Sequence, residues 1–272
     1  MGTAFSYSKP PGGQWAVING FSFIQRRLMG LERLPATTLS QIHELENTAL
    51  SFEPGADIIV EADMAGGLHI QAQGWACRYQ LLENGRRQIL DFVLPGDWFD
   101  LIAQADEPYT ASVGALTACR SVAAPPGFMQ TCKTSHPKLL DAIETMRGET
   151  IRRLEESVTT LGQRTAPEAM LLFLSRTYDR LRAVGLADGR SAAFPLTQEM
   201  IGDHLGLSTV HVNRTLKKLR EEWGIRIANN RLTIAEPDII RGVVPDTPPP
   251  FDRLPRRLLN TGLHRAPRAR RR

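Results

Sequence analysis

Two short helical patterns separated by three residues, within Thr197–Arg220, constrain the fold of this chain more than any other feature. Thr197 is a favourable N-cap, so the first helix is predicted from Gln198 to Leu205. Gly206 can adopt the left-handed conformation that ends a helix, and Ser208 can cap a second helix that starts at once. Two helices joined by so short a turn form a helix-turn-helix.

The second helix of this motif is predicted to have an apolar and a polar face. Its apolar residues, which recur every three or four positions, are Val212, Leu216, Leu219 and Trp223. We expect them to pack against Ile201 and Leu205 of the first helix, with glycines at 202 and 206 allowing a close approach. The polar residues, which offer donors to base edges and phosphates, are Thr209, His211, Asn213, Arg214, Lys217 and Lys218. The alternative is an ordinary helical hairpin with a solvated basic face.

A small hairpin is predicted directly after this motif. Apolar residues alternate in Gly224–Ile234 around the pair Asn229-Asn230, which is a typical hairpin turn. Such a hairpin would form the wing of a winged helix-turn-helix, which places its second helix in the major groove of DNA. Arg226 or Arg231 could then contact the flanking phosphate backbone.

From Ser51 to about Pro126 the chain consists of short runs separated by turn residues, a pattern typical of a β sandwich or barrel. The clearest hairpin joins Trp75–Leu82 to Gln88–Val93 through Asn84-Gly85. We expect a two-residue turn there, with a positive φ angle at both central positions.

A long helix is predicted after Pro137, ending near Gln163. Its second half carries apolar residues at coiled-coil spacing, namely Ile151, Leu154, Val158 and Leu161. This stripe indicates either a dimer interface, which we favour, or packing on its own domain. A further helix is predicted over Ala166–Leu181, with Pro167 in its first turn.

Length and cysteine content favour an intracellular protein of two domains. The 272 residues, 42% of them apolar, are enough for two modest cores. The three cysteines are far apart and show neither a disulfide framework nor a metal-ligand spacing. The sequence shows no signal peptide and no apolar run long enough for a membrane span, so a soluble cytoplasmic protein is expected.

The basic character of the chain lies in its last residues. Residues 241–272 contain nine arginines and two aspartates, whereas the whole chain has a net charge of only +4. This segment is also rich in proline and is predicted to be disordered, either as a phosphate-attracting arm or as a solvated extension without a specific role.

The order of these segments, a β domain, a long helix and a winged helix-turn-helix, resembles the Crp/Fnr family of bacterial transcription regulators. The segments that carry the resemblance are Gly74–Tyr79, Asn84–Ile89, Leu94–Asp97, Ala115–Cys119 and Leu196–Leu219. The resemblance implies an α+β fold with a jelly roll of the cyclic-nucleotide-binding type, which senses an effector, and a dimerisation helix. The expected organisation is a flexible leader (1–20), the β-roll sensor (21–135), the dimerisation helix (136–164), the DNA-binding domain (165–240) and the tail (241–272).

The resemblance also implies partners and contact residues. The partners are double-stranded DNA, a second copy of the chain and, through the family alone, RNA polymerase. DNA contacts would fall to Ser208, Thr209, His211, Asn213 and Arg214, with Thr197 and Gln198 on phosphate. Where several family members have a glutamate that accepts from cytosine, this sequence has Val210, so a different half-site is expected.

Three positions form the expected effector pocket, namely Asp100, Tyr109 and Thr110. Tyr109 stands where members that bind cyclic AMP have the arginine that pairs with the phosphate, and the glutamate that binds the ribose is absent or displaced to Asp100. A tyrosine cannot replace a charge-assisted bidentate pair, so cyclic AMP is not the expected effector. The first cysteine, Cys77, lies inside the β domain, which disfavours the N-terminal iron–sulfur cluster of the oxygen-sensing branch.

Two alternatives from other classes are weaker. The β roll could be a receptor for haem or another ligand, with His69, Cys77 or His136 as haem ligands and DNA binding secondary. An enzyme is disfavoured because the six histidines do not cluster and none of the common catalytic motifs is present. No metal ion or cofactor is therefore expected.

Overall fold

The computed structural model describes residues 21–64, 66–100 and 107–237. The predicted leader (1–20) and tail (241–272) lie outside the described residues. In the described part of the chain, no helix is long and apolar enough to cross a membrane.

The N-terminal half is an antiparallel β roll preceded by two short helices, α1 (Phe23–Met29) and α2 (Ala36–Asn47). Its strands are β1 (Leu50–Phe52), β2 (Asp57–Ile59), β3 (His69–Gln73), β4 (Ala76–Leu81), β5 (Arg87–Val93), β6 (Trp98–Phe99), β7 (Ser112–Ala115) and β8 (Cys119–Ala123). They form two four-stranded sheets, with the orders β1-β8-β3-β6 and β2-β7-β4-β5. The β architecture predicted between Ser51 and Pro126 is therefore confirmed.

The β4–β5 hairpin forms where it was predicted, but its turn differs from the prediction. Gly85 has φ +77°, whereas Asn84 is not among the residues with positive φ. The N–H of Gly85 donates to the carbonyl of Leu82 at 2.8 Å, so the loop has three residues and requires only its last one to be left-handed. The side-chain oxygen of Asn84 instead accepts from the N–H of Arg86 at 3.0 Å.

The long helix, α4 (Pro137–Gln163), follows a short helix, α3 (Phe128–Ser135), and its two halves differ in burial. In the first half, Leu139, Ile143 and Met146 are buried against the β roll. In the second half, Ile151 and Leu161 are exposed, and Val158 keeps 72% of its accessible surface. Within one chain, the coiled-coil stripe is therefore largely uncovered.

The C-terminal half combines three helices and a small sheet. These elements are α5 (Ala166–Ala183), β9 (Ala187–Asp188), β10 (Ser191–Ala193), α6 (Gln198–Leu205), α7 (Thr209–Trp223), β11 (Ile225–Ala228) and β12 (Arg231–Ile234). Strands β11 and β12 pair across Asn229 and Asn230, which have φ +50° and +55°, as a two-residue hairpin turn requires. The predicted helix-turn-helix and its wing are both present.

One apolar core extends from the β roll into the C-terminal half. Phe92 and Ile89 of β5 belong to the same buried cluster as Phe173 of α5 and Leu219 of α7. The rings of Trp75 and Phe194 meet edge to face, with centroids 5.8 Å apart. Helices α5–α7 therefore share a buried apolar cluster with strand β5.

Candidate nucleic-acid interface

The turn between α6 and α7 is built from the predicted caps. The hydroxyl oxygen of Thr197 accepts from the N–H of Met200 at 3.2 Å, and that of Ser208 accepts from the N–H of His211 at 3.3 Å. Gly206 ends α6 with φ +65°, and its N–H donates to the carbonyl of Gly202. These caps satisfy backbone groups that would otherwise lack partners, and they fix the angle at which α7 leaves the turn.

Gly202 is the point of closest approach between α6 and the turn. A Cβ atom at this position would lie 2.4 Å from the backbone carbonyl oxygen of Leu207. Because that oxygen belongs to the main chain, it cannot move aside without changing the turn. Absence of a side chain at Gly202 is therefore required by the way the two helices meet.

Gly202→Ala is expected to lower the free energy of unfolding by about 1–3 kcal/mol, as overpacking does in a closely packed region. Gly148→Ala is the matched control, since a Cβ there meets nothing within 4 Å. In that open helical position alanine should stabilise by up to about 1 kcal/mol. Urea unfolding of both variants measures the difference; equal midpoints would contradict the steric role of Gly202.

The buried face of α7 agrees only in part with the sequence pattern. Val212 and Leu219 are fully buried, as are Ile201 and Leu205 of α6, which confirms the predicted packing of the two helices. Leu216 and Trp223 are half-buried, while Thr215, which the pattern did not include, is buried. The face that packs on the domain is therefore rotated slightly from the predicted one.

The opposite face of α7 is open to solvent. The predicted contact residues that lie exposed on or beside α7 are Ser208, Thr209, Asn213, Arg214, Lys217 and Lys218. Three others are half-buried, namely His211, Thr197 and Gln198. The side-chain amide of Asn213 lies within 3.4 Å of the side-chain oxygen of Gln198, so the structure brings residues of both helices together.

The two arginines of the wing, Arg226 and Arg231, differ in whether their side chains already have hydrogen-bond partners. The guanidinium of Arg231 donates to Asp188 and to Ser191, each at 2.9 Å, and is thereby held on the small sheet. Arg226 is exposed, and in the described part of the chain its side chain makes no hydrogen bond or ion pair. Of the two, Arg226 is the one free to contact a nucleic-acid backbone.

A cavity of about 220 Å³ lies between the β roll and helices α4 and α5. Asp100, Tyr109 and Thr110, the predicted effector-pocket residues, all line it. The hydroxyl of Tyr109 accepts from the N–H of Gly66 at 2.7 Å and lies 3.1 Å from Nε2 of His69, so it is held in the cavity wall. The pKa of Asp100 is raised above its ordinary value because the side chain is buried, and the nearby Arg78 offsets only part of this effect.

Arg78 of β4 is a cavity residue that the sequence did not reveal. Its guanidinium donates to the hydroxyl of Thr110 at 3.0 Å. A lone arginine on a β strand carries no sequence pattern that marks it as part of a pocket. Arg78 lies within Gly74–Tyr79, which carries part of the family resemblance, but the expected pocket was placed at Asp100, Tyr109 and Thr110. Its contact with Thr110 depends on the pairing of β4 with β7.

The cavity is lined by charges of both signs. Its charged lining residues within the described chain are Arg78, Arg153, Arg180, Asp91, Asp97, Asp100 and Glu107. Arg153 and Arg180 already pair with aspartates, which leaves Arg78 as the cation for an incoming phosphate. Asp100 sits beside Arg78, with Oδ2 buried and without a hydrogen-bond partner among the described residues. A phosphate that approached Arg78 would therefore also approach the carboxyl group of Asp100, which is unfavourable at short range when that group is ionised.

A buried charge cluster closes one side of the cavity and joins three elements. Asp91 of β5 accepts from Arg153 of α4 at 2.9 Å and pairs with Arg180 of α5 at 3.4 Å. Arg180 also donates to Asp97 at 2.5 Å and to the carbonyl of Phe92 at 2.8 Å. Burial alone would raise the pKa of Asp91, but Arg153 and Arg180 lower it to about 2.

Helix α6 contacts strand β5 directly through His204 and Asp203. The ring of His204 packs against those of Phe92 and Phe173, with ring centroids 5.2 and 5.0 Å away. Its Nδ1 lies 3.1 Å from the carbonyl oxygen of Ile89, which can only accept, so Nδ1 carries the hydrogen. Burial lowers the pKa of His204. Next to it, Asp203 pairs with Arg87 at 2.8 Å.

The residues suggested as haem ligands lie in separate places. His69 is in strand β3, where burial lowers its pKa to about 4, and Cys77 is in the core of β4, where burial raises its pKa to about 12. His136 precedes α4 and shares a hydrogen bond with Thr38 at 3.1 Å. In the described residues, no three histidine, cysteine or acidic side chains form a group that could hold a metal ion.

A β roll, a long helix with an uncovered apolar stripe and a winged helix-turn-helix are together typical of DNA-binding transcription regulators. Two family models match the chain: "Cyclic nucleotide-binding domain" over residues 49–135 and "Crp-like helix-turn-helix domain" over residues 169–241. The chain belongs to the Crp/Fnr family, and it is a DNA-binding transcription regulator.

Several known proteins are similar to the chain. The nitrogen fixation regulation protein FixK of Bradyrhizobium diazoefficiens is 29% identical over 203 residues, which is 73% of this chain and 83% of FixK. The transcriptional activatory protein AadR of Rhodopseudomonas palustris is 29% identical over 188 residues, 68% of this chain and 77% of AadR. The solved structure of FixK2 from Bradyrhizobium japonicum has a TM-score of 0.62 at 23% identity, covering 74% of this chain and 98% of FixK2.

Proposed function

We propose that this protein regulates transcription as a homodimer that binds a palindromic operator with one α7 helix in each half-site. The observation that carries the proposal is the solvent-exposed face of α7, which presents Thr209, Asn213 and Arg214 from a helix whose orientation is fixed by its caps. Arginine and asparagine are side chains that read guanine and adenine edges in the major groove. Lys217 and Lys218, one turn further along, suit phosphates.

The uncovered stripe on α4 supports the homodimer. Ile151, Val158 and Leu161 recur at the spacing of a coiled-coil seam and are exposed in the single chain. A second copy of the same stripe would cover them in a two-fold arrangement, as in most homodimers. Two α7 helices would then lie about one helical turn of DNA apart, roughly 34 Å.

Val158→Glu is expected to convert the dimer to a monomer. Each Val158 side chain buried in the seam contributes about 1.5–3 kcal/mol, and two copies would be lost, so the dimer dissociation constant should rise by at least about 100-fold. Because Val158 is 72% exposed in the single chain, the subunit fold should be unaffected. Sedimentation equilibrium measures the change.

The matched control is Thr159→Glu. It places the same charge one residue further along α4, at an exposed position outside the apolar stripe. This variant should dimerise normally. If Val158→Glu and Thr159→Glu had the same association constant, the stripe on α4 would not be the interface.

The effector of this regulator is a molecule other than cyclic AMP. Tyr109 is held in the cavity wall by Gly66 and His69, and the remaining cation, Arg78, faces the carboxylate of Asp100. The protein acts in the cytoplasm by binding and not by catalysis. RNA polymerase is its partner in transcription, by analogy with the family.

The test of this proposal is the selection of bound sites from a random duplex pool, with the mass of the complex measured in parallel. Enrichment of an inverted repeat, bound by two chains, is the expected result. Enrichment of a single non-repeated site bound by one chain would contradict the homodimer but would still agree with sequence-specific DNA binding. Retention of the pool without any enrichment would contradict sequence-specific regulation.

A further inference from the structure

Val210 is a hydrophobic residue on the otherwise polar, solvent-exposed face of α7. It is the most exposed large hydrophobic residue in the described part of the chain, with 79% of its surface accessible. It lies in the first turn of the helix, two residues after the N-cap Ser208. The described elements of the same chain leave it open to water.

Its position on the helix places it within the DNA-facing surface. Residues three and four positions apart share a helix face, so Val210 is adjacent to Asn213 and Arg214 and in line with Lys217. All three of these neighbours are exposed polar residues. The two methyl groups of Val210 therefore lie in the middle of the donors that are proposed to contact DNA.

Folding does not account for a valine here. An exposed valine buries no apolar surface, and it is a weaker helix former than alanine, lysine or glutamate. It also makes no capping hydrogen bond, since the capping oxygen belongs to Ser208. A contact made outside the single chain would give this side chain a physical role.

The chemistry of the major groove allows one favourable contact for such a group. Guanine, cytosine and adenine offer hydrogen-bonding atoms, which valine cannot satisfy, whereas thymine also presents a C5-methyl group. We infer that Val210 is a specificity-determining residue, which selects a thymine in each half-site by packing on its C5-methyl. This inference rests on the proposed insertion of α7 into the major groove.

The size of the effect follows from the area of one methyl group. Burying a CH₂-sized group contributes about 0.8 kcal/mol, which corresponds to about a fourfold change in affinity. Two symmetric half-sites would together give about a fifteenfold change. Hydrogen bonds to the same base pair would be unaffected, because loss of the methyl leaves O4 of thymine in place.

The experiment uses the full-length protein and the operator obtained by site selection. Each thymine is replaced in turn by deoxyuridine, symmetrically in both half-sites, which removes only the C5-methyl group. The wild-type protein is expected to lose about fifteenfold in affinity at one symmetric thymine position and to be insensitive at most others.

The variants Val210→Ser and Lys217→Ala assign that sensitivity. With Val210→Ser, operators containing thymine and uracil at this position should bind equally well, whereas Lys217→Ala should bind both more weakly and keep the preference. Thermal unfolding should be unchanged in Val210→Ser, because the side chain is exposed.

Two results would overturn the inference. Uniform insensitivity of the wild-type protein to deoxyuridine would show that no thymine methyl is read, while the operator itself remained bound. A uracil penalty that persisted in Val210→Ser would assign the methyl contact to another residue. If no duplex were selected at all, the proposed DNA contact by α7 and this inference would fail together.

Discussion

Asp91→Asn is expected to lower the free energy of unfolding by about 2–3 kcal/mol. The carboxylate lies between Arg153 and Arg180, and its loss would leave two largely buried guanidinium groups without their shared partner. Breaking a fully buried ion pair costs roughly 3–5 kcal/mol. The side chain of Asp91 keeps 18% exposure, so a smaller value is expected. Urea unfolding measures it.

The control for this substitution is Glu144→Gln. Glu144 pairs with Arg147 on the exposed side of α4, with about half of its side chain accessible. Surface pairs of this kind contribute at most about 1 kcal/mol, and often nothing measurable. A loss for Asp91→Asn no larger than that for Glu144→Gln would show that the cluster does not stabilise the fold.

The same cluster predicts how stability depends on pH. The pKa of Asp91 is about 2 in the folded protein, below its ordinary value of 3.8, so the folded state binds the proton less tightly than the unfolded state. The stabilisation is therefore complete above about pH 4 and is lost as the pH falls towards 2. In Asp91→Asn this component of acid sensitivity should be absent, which urea titrations between about pH 2 and pH 5 would detect.

The elements that the sequence predicted best are those whose determinants are local. Thr197, Gly206 and Ser208 each act within a few residues of their position, as helix caps or as a left-handed stop. The same holds for the Asn229-Asn230 turn of the wing. Such features depend on backbone preferences and short hydrogen bonds, which sequence patterns represent directly.

The features that the sequence did not predict depend on contacts between distant segments. Arg153 reaches Asp91 across 62 positions, although a charged residue on an amphipathic helix reads as solvated. The contacts of His204 with Phe92 and Phe173 are also long-range, because these two neighbours come from β5 and α5. Tertiary packing decides these contacts, and a pattern within one helix contains no information on it.

These long-range contacts also connect the cavity to the DNA-binding helices. Arg180 lines the cavity and lies on α5, which packs on both α6 and α7. Strand β5 supplies Asp91 to the cluster and the carbonyl of Ile89 to His204. Strand β5 therefore contacts both the charge cluster that lines the cavity and helix α6 of the DNA-binding motif.

Arg214→Ala is expected to weaken binding to the selected operator by at least about 30-fold, because the dimer loses one contact in each of two half-sites, while leaving binding to random duplex nearly unchanged. Arg214 is exposed on the face of α7 that carries Asn213, and its guanidinium can donate two hydrogen bonds to one guanine. Loss of one such contact costs roughly 1–3 kcal/mol and relaxes selectivity at that base pair. Titration of both duplexes at fixed salt, followed by a repeated site selection, measures both effects.

The control for Arg214→Ala is Lys217→Ala, one turn further along the same face. Because a lysine on phosphate does not distinguish sequences, this variant should weaken both duplexes alike. The dimer loses two such contacts, so the salt dependence of binding should fall by about two units of slope. Dimer mass should be the same in both variants, since neither residue lies on α4. If Arg214→Ala lost affinity equally for operator and random duplex, Arg214 would be a phosphate contact and not a base-reading residue.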